Sequence, residues 1–157
     1  MSHTAAVNIG VLYGITGRII PTSTACTSGS MGIGYAYEAI KYGKQDVMIA
    51  GGAEELCPTM VAVFDTLFAT SVSNDAPEAT PRPYDVKRDG LVIGEGAGTL
   101  ILEEYEHAKA RGAKILGEIV GFATNSDGSH ITHPASKTMA RTLQGALDDA
   151  GLSGSDI

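Results

Sequence analysis

Eighteen acidic against eleven basic side chains in 157 residues give a net charge of -7, which speaks against a general polyanion-binding surface, since phosphate binding is driven by Lys/Arg clusters. Hydrophobic residues at 43% and charged residues at 18% are an ordinary globular balance, with no compositional case for disorder and apolar material for one domain-sized core. Nucleic acid is therefore not an expected partner.

Residues 2–14 form a predicted helix opened by Ser2 or Thr4, with Val7, Val11 and Leu12 on one side. Ile19 to Thr24 is a short strand candidate, placed at an edge because Pro21 cannot donate to a ladder. Thr24-Ala25-Cys26-Thr27-Ser28-Gly29 follows as a strand-to-helix junction, and the next helix carries Ile33, Tyr37 and Ile40 at helical spacing and ends near Gly43. Asp46 to Gly52 holds the apolar run Val47-Met48-Ile49-Ala50, which suits a strand covered on both faces. A helix spans about Pro58 to Phe68, with Pro58 near its first turn. Residues 70–90, with Pro77, Pro81 and Pro83, make a long ordered loop.

Leu91 to Glu104 reads as a strand, and Glu104 to Arg111 as a charged helix closed by Gly112. Lys114 to Thr124 reads as a second long strand with Ile115, Gly117, Ile119 and Gly121 alternating. Asn125 to Pro134 is a loop, and Ser136 to Ala150 an amphipathic helix ending at Gly151. Alternating strands and helices imply a layered α/β fold. Beyond Gly151 a turn opens, with Ile157 as the first residue of another strand. The pattern is expected to continue past Ile157, and to be preceded by a strand before the first helix.

Two cysteines, Cys26 and Cys57, are too few for a disulfide framework and fit a cytoplasmic chain with reduced thiols. The apolar stretches fall well short of the roughly 20 residues a membrane span requires. The N-terminus lacks the basic-then-apolar order of a signal peptide.

Cys26 stands where a strand hands over to a helix. The unpaired N–H groups and dipole of a helix start favour a negative sulfur, the reactive form of a cysteine. Ala25, Thr27, Ser28 and Gly29 are small enough to leave access. A buried structural thiol is the other reading of the same residue. On position alone the two stand side by side.

The neighbouring segments decide between them. Thr24-Ala25-Cys26-Thr27-Ser28-Gly29 resembles the active-site elbow of the ketosynthase family, and the run from Gly43 to Glu54 resembles that family's next strand and glycine turn. Arg82-Pro83-Tyr84-Asp85, Arg88-Asp89-Gly90 and Gly94-Glu95-Gly96-Ala97-Gly98 match a further block in the expected order. Glu103 to Ala108 with Arg111-Gly112-Ala113 is similar to the following helix. The resemblance, to the fatty-acid elongating β-ketoacyl-acyl carrier protein synthases, runs over essentially the whole chain.

It implies a partial thiolase-like layered α-β-α-β-α fold over residues 1–157, the end of one half and the start of the other, with the boundary near 112. It also implies a homodimer, an acyl carrier protein partner, and decarboxylative carbon–carbon bond formation without a cofactor or a metal. Cys26 would take the acyl group by covalent catalysis. In the family two histidines complete the site, in a His-Gly-Thr segment and an Asn-x-x-x-Gly-His-type segment. His3, His107, His130 and His133 have neither neighbourhood. The C-terminal glycine-rich loop and the front of the N-terminal half are not represented either. The expectation is the middle of a longer protein, less than half of it, and a 157-residue chain that does not condense substrates.

Asp127, His130 and Thr132 lie in a loop similar to one bordering the family's pantetheine channel, and Phe64 resembles a residue near its acyl pocket. A polar surface loop and plain core packing are the respective other readings. A metal at His130 and His133 would need further ligands converging by chance. Gly94 to Gly98 is no dinucleotide fingerprint, since Thr99 takes the third glycine's place and a strand follows; these glycines are read as a tight turn with close backbone approach. Cys57 is read as an inert buried thiol, Glu54-Glu55 as first-turn helix charges, and Lys109, Arg111 and Lys114 as a solvated face. A polyketide ketosynthase and a thiolase are the nearest enzymatic rivals, the blocks around Arg82 and Gly94 favouring the carrier-protein enzymes over thiolase. A non-catalytic chain-length factor lacks the reactive cysteine, and a cysteine hydrolase would need a base from one of the four histidines.

Overall fold

The computed structural model describes residues 3–157. Its helices are α1 (Thr4–Leu12), α2 (Ser28–Lys41), α3 (Pro58–Thr66), α4 (Tyr105–Ala110) and α5 (Ser136–Ala150), and its strands β1 (Val47–Glu54) and β2 (Gly96–Glu103). Two compact units result, one from the chain up to Gly52 together with Thr99–Ile157, the other from Ala53–Gly98.

The first unit holds most of β1 and β2, which are hydrogen-bonded neighbours. Glu104 N–H donates to Asp46 O at 2.9 Å, so the residue before β1 faces the residue after β2 and the pair is antiparallel. Helix α2 runs close against β1 because small residues face each other there. A Cβ on Gly52 would stand 3.5 Å from Gly29 Cα, and one on Gly32 would stand 3.5 Å from Gly51 O. The buried apolar side chains among the described residues are Ala36 and Ala39 on α2, Ala50 on β1 and Ala108 on α4. Small side chains let the elements approach at backbone distance, while many larger apolar groups stay uncovered.

Local chemistry ends the helices. Lys44 N–H returns to Ala39 O at 2.8 Å past Gly43, and Leu152 N–H to Leu147 O at 2.9 Å past the left-handed Gly151. Glu104 caps α4 by accepting His107 N–H at 2.7 Å. One residue earlier, Glu103 is nearly covered and takes Arg111 through both oxygens, at 2.8 and 2.6 Å, and His107 Nδ1 at 2.5 Å. The Arg111 guanidinium first, and His107 second, hold the Glu103 carboxyl down at about 2. Arg111 is thus an ion-pair partner and not simply a solvated charge, and Lys109 likewise pairs with Glu106 at 3.0 Å.

A second polar cluster ties α5 to α2. Lys41 Nζ donates to Asp149 Oδ1 at 2.5 Å and to Tyr37 Oη at 2.9 Å, while Phe122 N–H donates to Asp149 Oδ2 at 3.1 Å. Lys41 is pushed above, and Asp149 below, the usual range by this pairing.

In the second unit α3 begins with Cys57 as N-cap and Pro58 at its first position. The loop after it is organised by Asp89, whose Oδ2 accepts from Ser71 Oγ and Ser73 Oγ, each at 2.7 Å, and from Val72 N–H at 3.2 Å. These donors, Ser73 foremost, hold Asp89 at about 2. Beside it Gly90 has φ +149°, and a Cβ there would lie 2.5 Å from Ser71 N, a conformation and a contact that only glycine accepts.

Several sequence expectations are corrected. Ile19 to Thr24 forms no strand: Thr24 N–H goes to Ser28 Oγ and Thr22 Oγ1 to Ser28 O, both at 2.8 Å, so the segment is tied to the following turn instead of to a ladder. Lys114 to Thr124 forms none either. Val120 O and Phe122 N–H bond to the side chains of Tyr37 and Asp149, and the Phe122 ring occupies the space beside Gly34. The strand read from Leu91 begins only at Gly96, and Ile157 follows a 3-10 turn, Gly154–Asp156, with no strand assigned. Helix α1 begins at Thr4; Ser2 lies outside the described residues. Its buried residue is Gly10, against Ile19, while Val11 and Leu12 are exposed. Glu54 ends β1 and Glu55 precedes α3, so neither is a first-turn helix charge. Nothing lies within 4 Å of a Cβ on Gly94, Gly96 or Gly98; close backbone approach occurs at Gly29 and Gly52. Among the described residues no helix is long and apolar enough to cross a membrane.

Candidate active site

Cys26 is the middle residue of a single 3-10 turn, Ala25–Thr27, that leads straight into α2. Its thiol belongs to an exposed residue, so the buried structural reading is removed. Ala25 immediately before it holds φ +55°, the left-handed region that residues bearing a Cβ seldom occupy. This sharp reversal lets the chain enter the helix while the next side chain stands outside it. Thr27, the N-cap of α2, gives the helix no side-chain cap. Its hydroxyl turns back to Thr24 O at 2.8 Å and Thr24 Oγ1 at 3.0 Å. No side chain therefore caps the amides that open α2, and the first of them, Ser28 N–H, returns to Ala25 O. Ser28 completes the turn: its Oγ accepts from Thr24 N–H at 2.8 Å and donates to Ala25 O at 2.6 Å.

The loop residues read as channel candidates lie in the same unit as Cys26. Asp127 is half-buried and spends Oδ2 on Ala135 N–H, at 3.0 Å, at the start of α5. His130 and Thr132 are exposed and meet each other: His130 Nδ1 accepts Thr132 N–H at 3.1 Å. The ring of His130 stacks on that of His133, with centroids 4.2 Å apart. Among the described residues no hydrogen bond joins these groups to Cys26, and no cluster of three or more His, Cys, Asp or Glu converges as metal ligands. Phe64, on α3 in the second unit, is half-buried.

Cys57 departs from its expected description. It is half-buried, and Thr59 Oγ1 lies 3.0 Å from its sulfur. The Thr59 hydroxyl, followed by the Met60 amide of α3, pulls the thiol below its ordinary range. Sequence reasoning missed Ser28, Glu103 and the Lys41–Asp149 pair. The spacing of Glu103 and His107, four residues apart before a helix, was a usable signal. Lys41 and Asp149 are 108 positions apart, and nothing local marks them.

Comparison with known proteins identifies the fold and the family. A β-ketoacyl synthase from Burkholderia phymatum STM815 superposes with TM-score 0.93 and 66% identity, over 96% of this chain and 37% of that one. A type II PKS acyl-carrier protein in complex with its ketosynthase bound to the hexaketide gives TM-score 0.88 and 40% identity, over 96% and 38%. Among curated sequences, the 3-oxoacyl-[acyl-carrier-protein] synthase 2 of Vibrio cholerae is 46% identical over 155 residues, 97% of this chain and 37% of that protein. The tetracenomycin polyketide synthase ketoacyl synthase alpha subunit of Streptomyces glaucescens is 42% identical over 147 residues, 92% and 34%. The chain thus spans little more than a third of the relatives it matches, and its fold is a partial thiolase-like α/β fold. Residues 1–108 match the β-ketoacyl synthase N-terminal domain, and the chain belongs to that family.

Proposed function

We propose that Cys26 is the acyl-accepting nucleophile of a 3-oxoacyl-[acyl-carrier-protein] synthase of fatty acid synthesis. The observation that carries this reading is an exposed cysteine on a left-handed turn at an uncapped helix start. In the proposed reaction the Cys26 thiolate attacks the carbonyl of an acyl-pantetheine thioester. The tetrahedral oxyanion collapses, an acyl–sulfur bond to Cys26 remains, and the pantetheine thiol leaves with a proton. Malonyl-carrier protein then loses carbon dioxide, its enolate attacks the acyl carbonyl, and the Cys26–acyl bond breaks to return the thiolate.

The same reading includes a carrier-protein partner, a homodimer, a cytoplasmic location, no cofactor, and a division of the complete fold near residue 112. Support for the partner comes from the carrier-protein complex of the polyketide relative; support for association comes from exposed apolar side chains such as Val11, Leu12 and Leu116. Asp127, His130 and Thr132 are proposed to border the pantetheine channel, and Phe64 the acyl pocket. Of these, His130 spends Nδ1 on Thr132 and leaves Nε2 without a hydrogen bond among the described residues, a ring nitrogen suited to a polar pantetheine group.

Identity of 42% to a polyketide ketosynthase subunit favours a second substrate class, which a carrier-protein panel separates. The primary test is peptide-resolved mass spectrometry after iodoacetamide. Selective labelling of Cys26 over Cys57 is expected, with no thioester hydrolysis and no condensation by the 157-residue chain. Labelling confined to Cys57 would remove the reading, and hydrolysis lost on His130→Ala would replace it with a hydrolase.

A further inference from the structure

Ser28 lies two residues beyond Cys26, yet its hydroxyl reaches backward, out of the helix it opens. A hydroxyl capping α2 would accept amides of the first helical turn. This one instead accepts Thr24 N–H and donates to Ala25 O. It therefore grips the chain on both sides of Ala25, the residue with the left-handed backbone. The Ser28 N–H also ends on Ala25 O, so that carbonyl is held by two donors from one residue.

A trans peptide is planar, and its N–H points opposite its C=O. Holding Ala25 O toward Ser28 consequently turns the Cys26 N–H to the other side and fixes the plane from which the thiol hangs. Thr27 cannot replace this restraint, because its hydroxyl reaches only Thr24.

We propose that Ser28 is a positioning residue for Cys26, holding the Ala25–Cys26 peptide so that the sulfur is presented for directed attack on a thioester carbonyl. The assignment rests on the reading of Cys26 as the acyl-accepting nucleophile. Attack on a carbonyl demands alignment of sulfur, carbon and the developing oxyanion, whereas displacement of iodide from a small reagent in solution demands little. Loss of Ser28 should therefore separate the two reactions.

The experiment uses the full chain as wild type, Ser28→Ala and Ser28→Thr. Each is treated with butanoyl-pantetheine or with iodoacetamide, and the Cys26 peptide is followed by mass spectrometry, with Cys57 as internal reference and a thermal melt for each variant. Ser28→Ala is expected to slow acyl transfer to Cys26 about tenfold or more, since small misalignments of reacting groups cost rates of that order, and to change alkylation less than about threefold. Ser28→Thr, which keeps the hydroxyl, is expected to restore acyl transfer. Equal acyl transfer in wild type and Ser28→Ala overturns the assignment alone. A parallel fall in both reactions with a lowered melt, unrescued by threonine, also overturns it, since that is loss of fold. A wild-type chain that takes no acyl group removes the nucleophile reading and the assignment with it.

Discussion

At Ala25, as at Phe68 and Tyr84, local preference and observed backbone disagree. A Cβ-bearing residue at φ +55° costs on the order of 1–3 kcal/mol. Glycine would escape that cost but lose about 0.5–1 kcal/mol through its freer unfolded chain. The first effect is the larger, so Ala25→Gly is expected to raise stability by about 1 kcal/mol, read as a higher denaturant midpoint at unchanged slope. A fall in the midpoint would mean the turn carries no strain. Part of this site was legible in the sequence, because small residues around a cysteine before a helical pattern are a local signal. The Ser28 grip was not, since a serine there reads equally well as an ordinary first-turn residue.

Between elements, Gly34 shows how tightly α2 receives the segment that precedes α5. The Phe122 ring occupies the position a Cβ on Gly34 would need. Gly34→Ala gains about 1 kcal/mol of helix propensity but forces the ring out of its place, at about 1–3 kcal/mol. Ring displacement outweighs propensity at such close approach, so the variant is expected to be less stable and to lose the edge-on packing of Tyr35 on Phe122. Near-ultraviolet circular dichroism together with chemical denaturation measures both, and an unchanged midpoint would contradict the packing argument. The same contrast separates what the sequence revealed from what it hid. The end of α2 just before Gly43 and the end of α5 at Gly151 follow from glycine stops, and the span of α5 from its periodicity, all of which are local. Ile19 to Thr24 and Lys114 to Thr124 have strand-like composition, but a strand exists only where a neighbour pairs with it. In this chain their polar groups are taken by Ser28, Tyr37 and Asp149.

Across the whole molecule, acid is the condition that should loosen both units, and for a common reason. Asp89 in one unit and Glu103 in the other sit at about 2, and Glu104, Asp149 and Asp156 are also lowered. A carboxyl whose pKa is lower folded than unfolded contributes stability above its unfolded pKa, and loses that contribution as pH falls through the folded value. Glu103 and Asp89 therefore support the fold fully above roughly pH 4.5 and progressively less down to about 2. Salt screening limits what carboxylates with exposed partners such as Arg111 contribute, so a graded decline is expected and not a sharp transition at one pH. Glu103→Gln should flatten the decline by removing the first unit's largest share, at the cost of lower stability at neutral pH, where Arg111 loses its partner. Asp89→Asn should do the same for the second unit through Ser71 and Ser73. Thermal midpoints from pH 7 to pH 2 for wild type and both variants measure this, and a wild-type midpoint that stays level or rises below pH 4.5 would contradict the assignment of these carboxylates as stabilising in their ionised form.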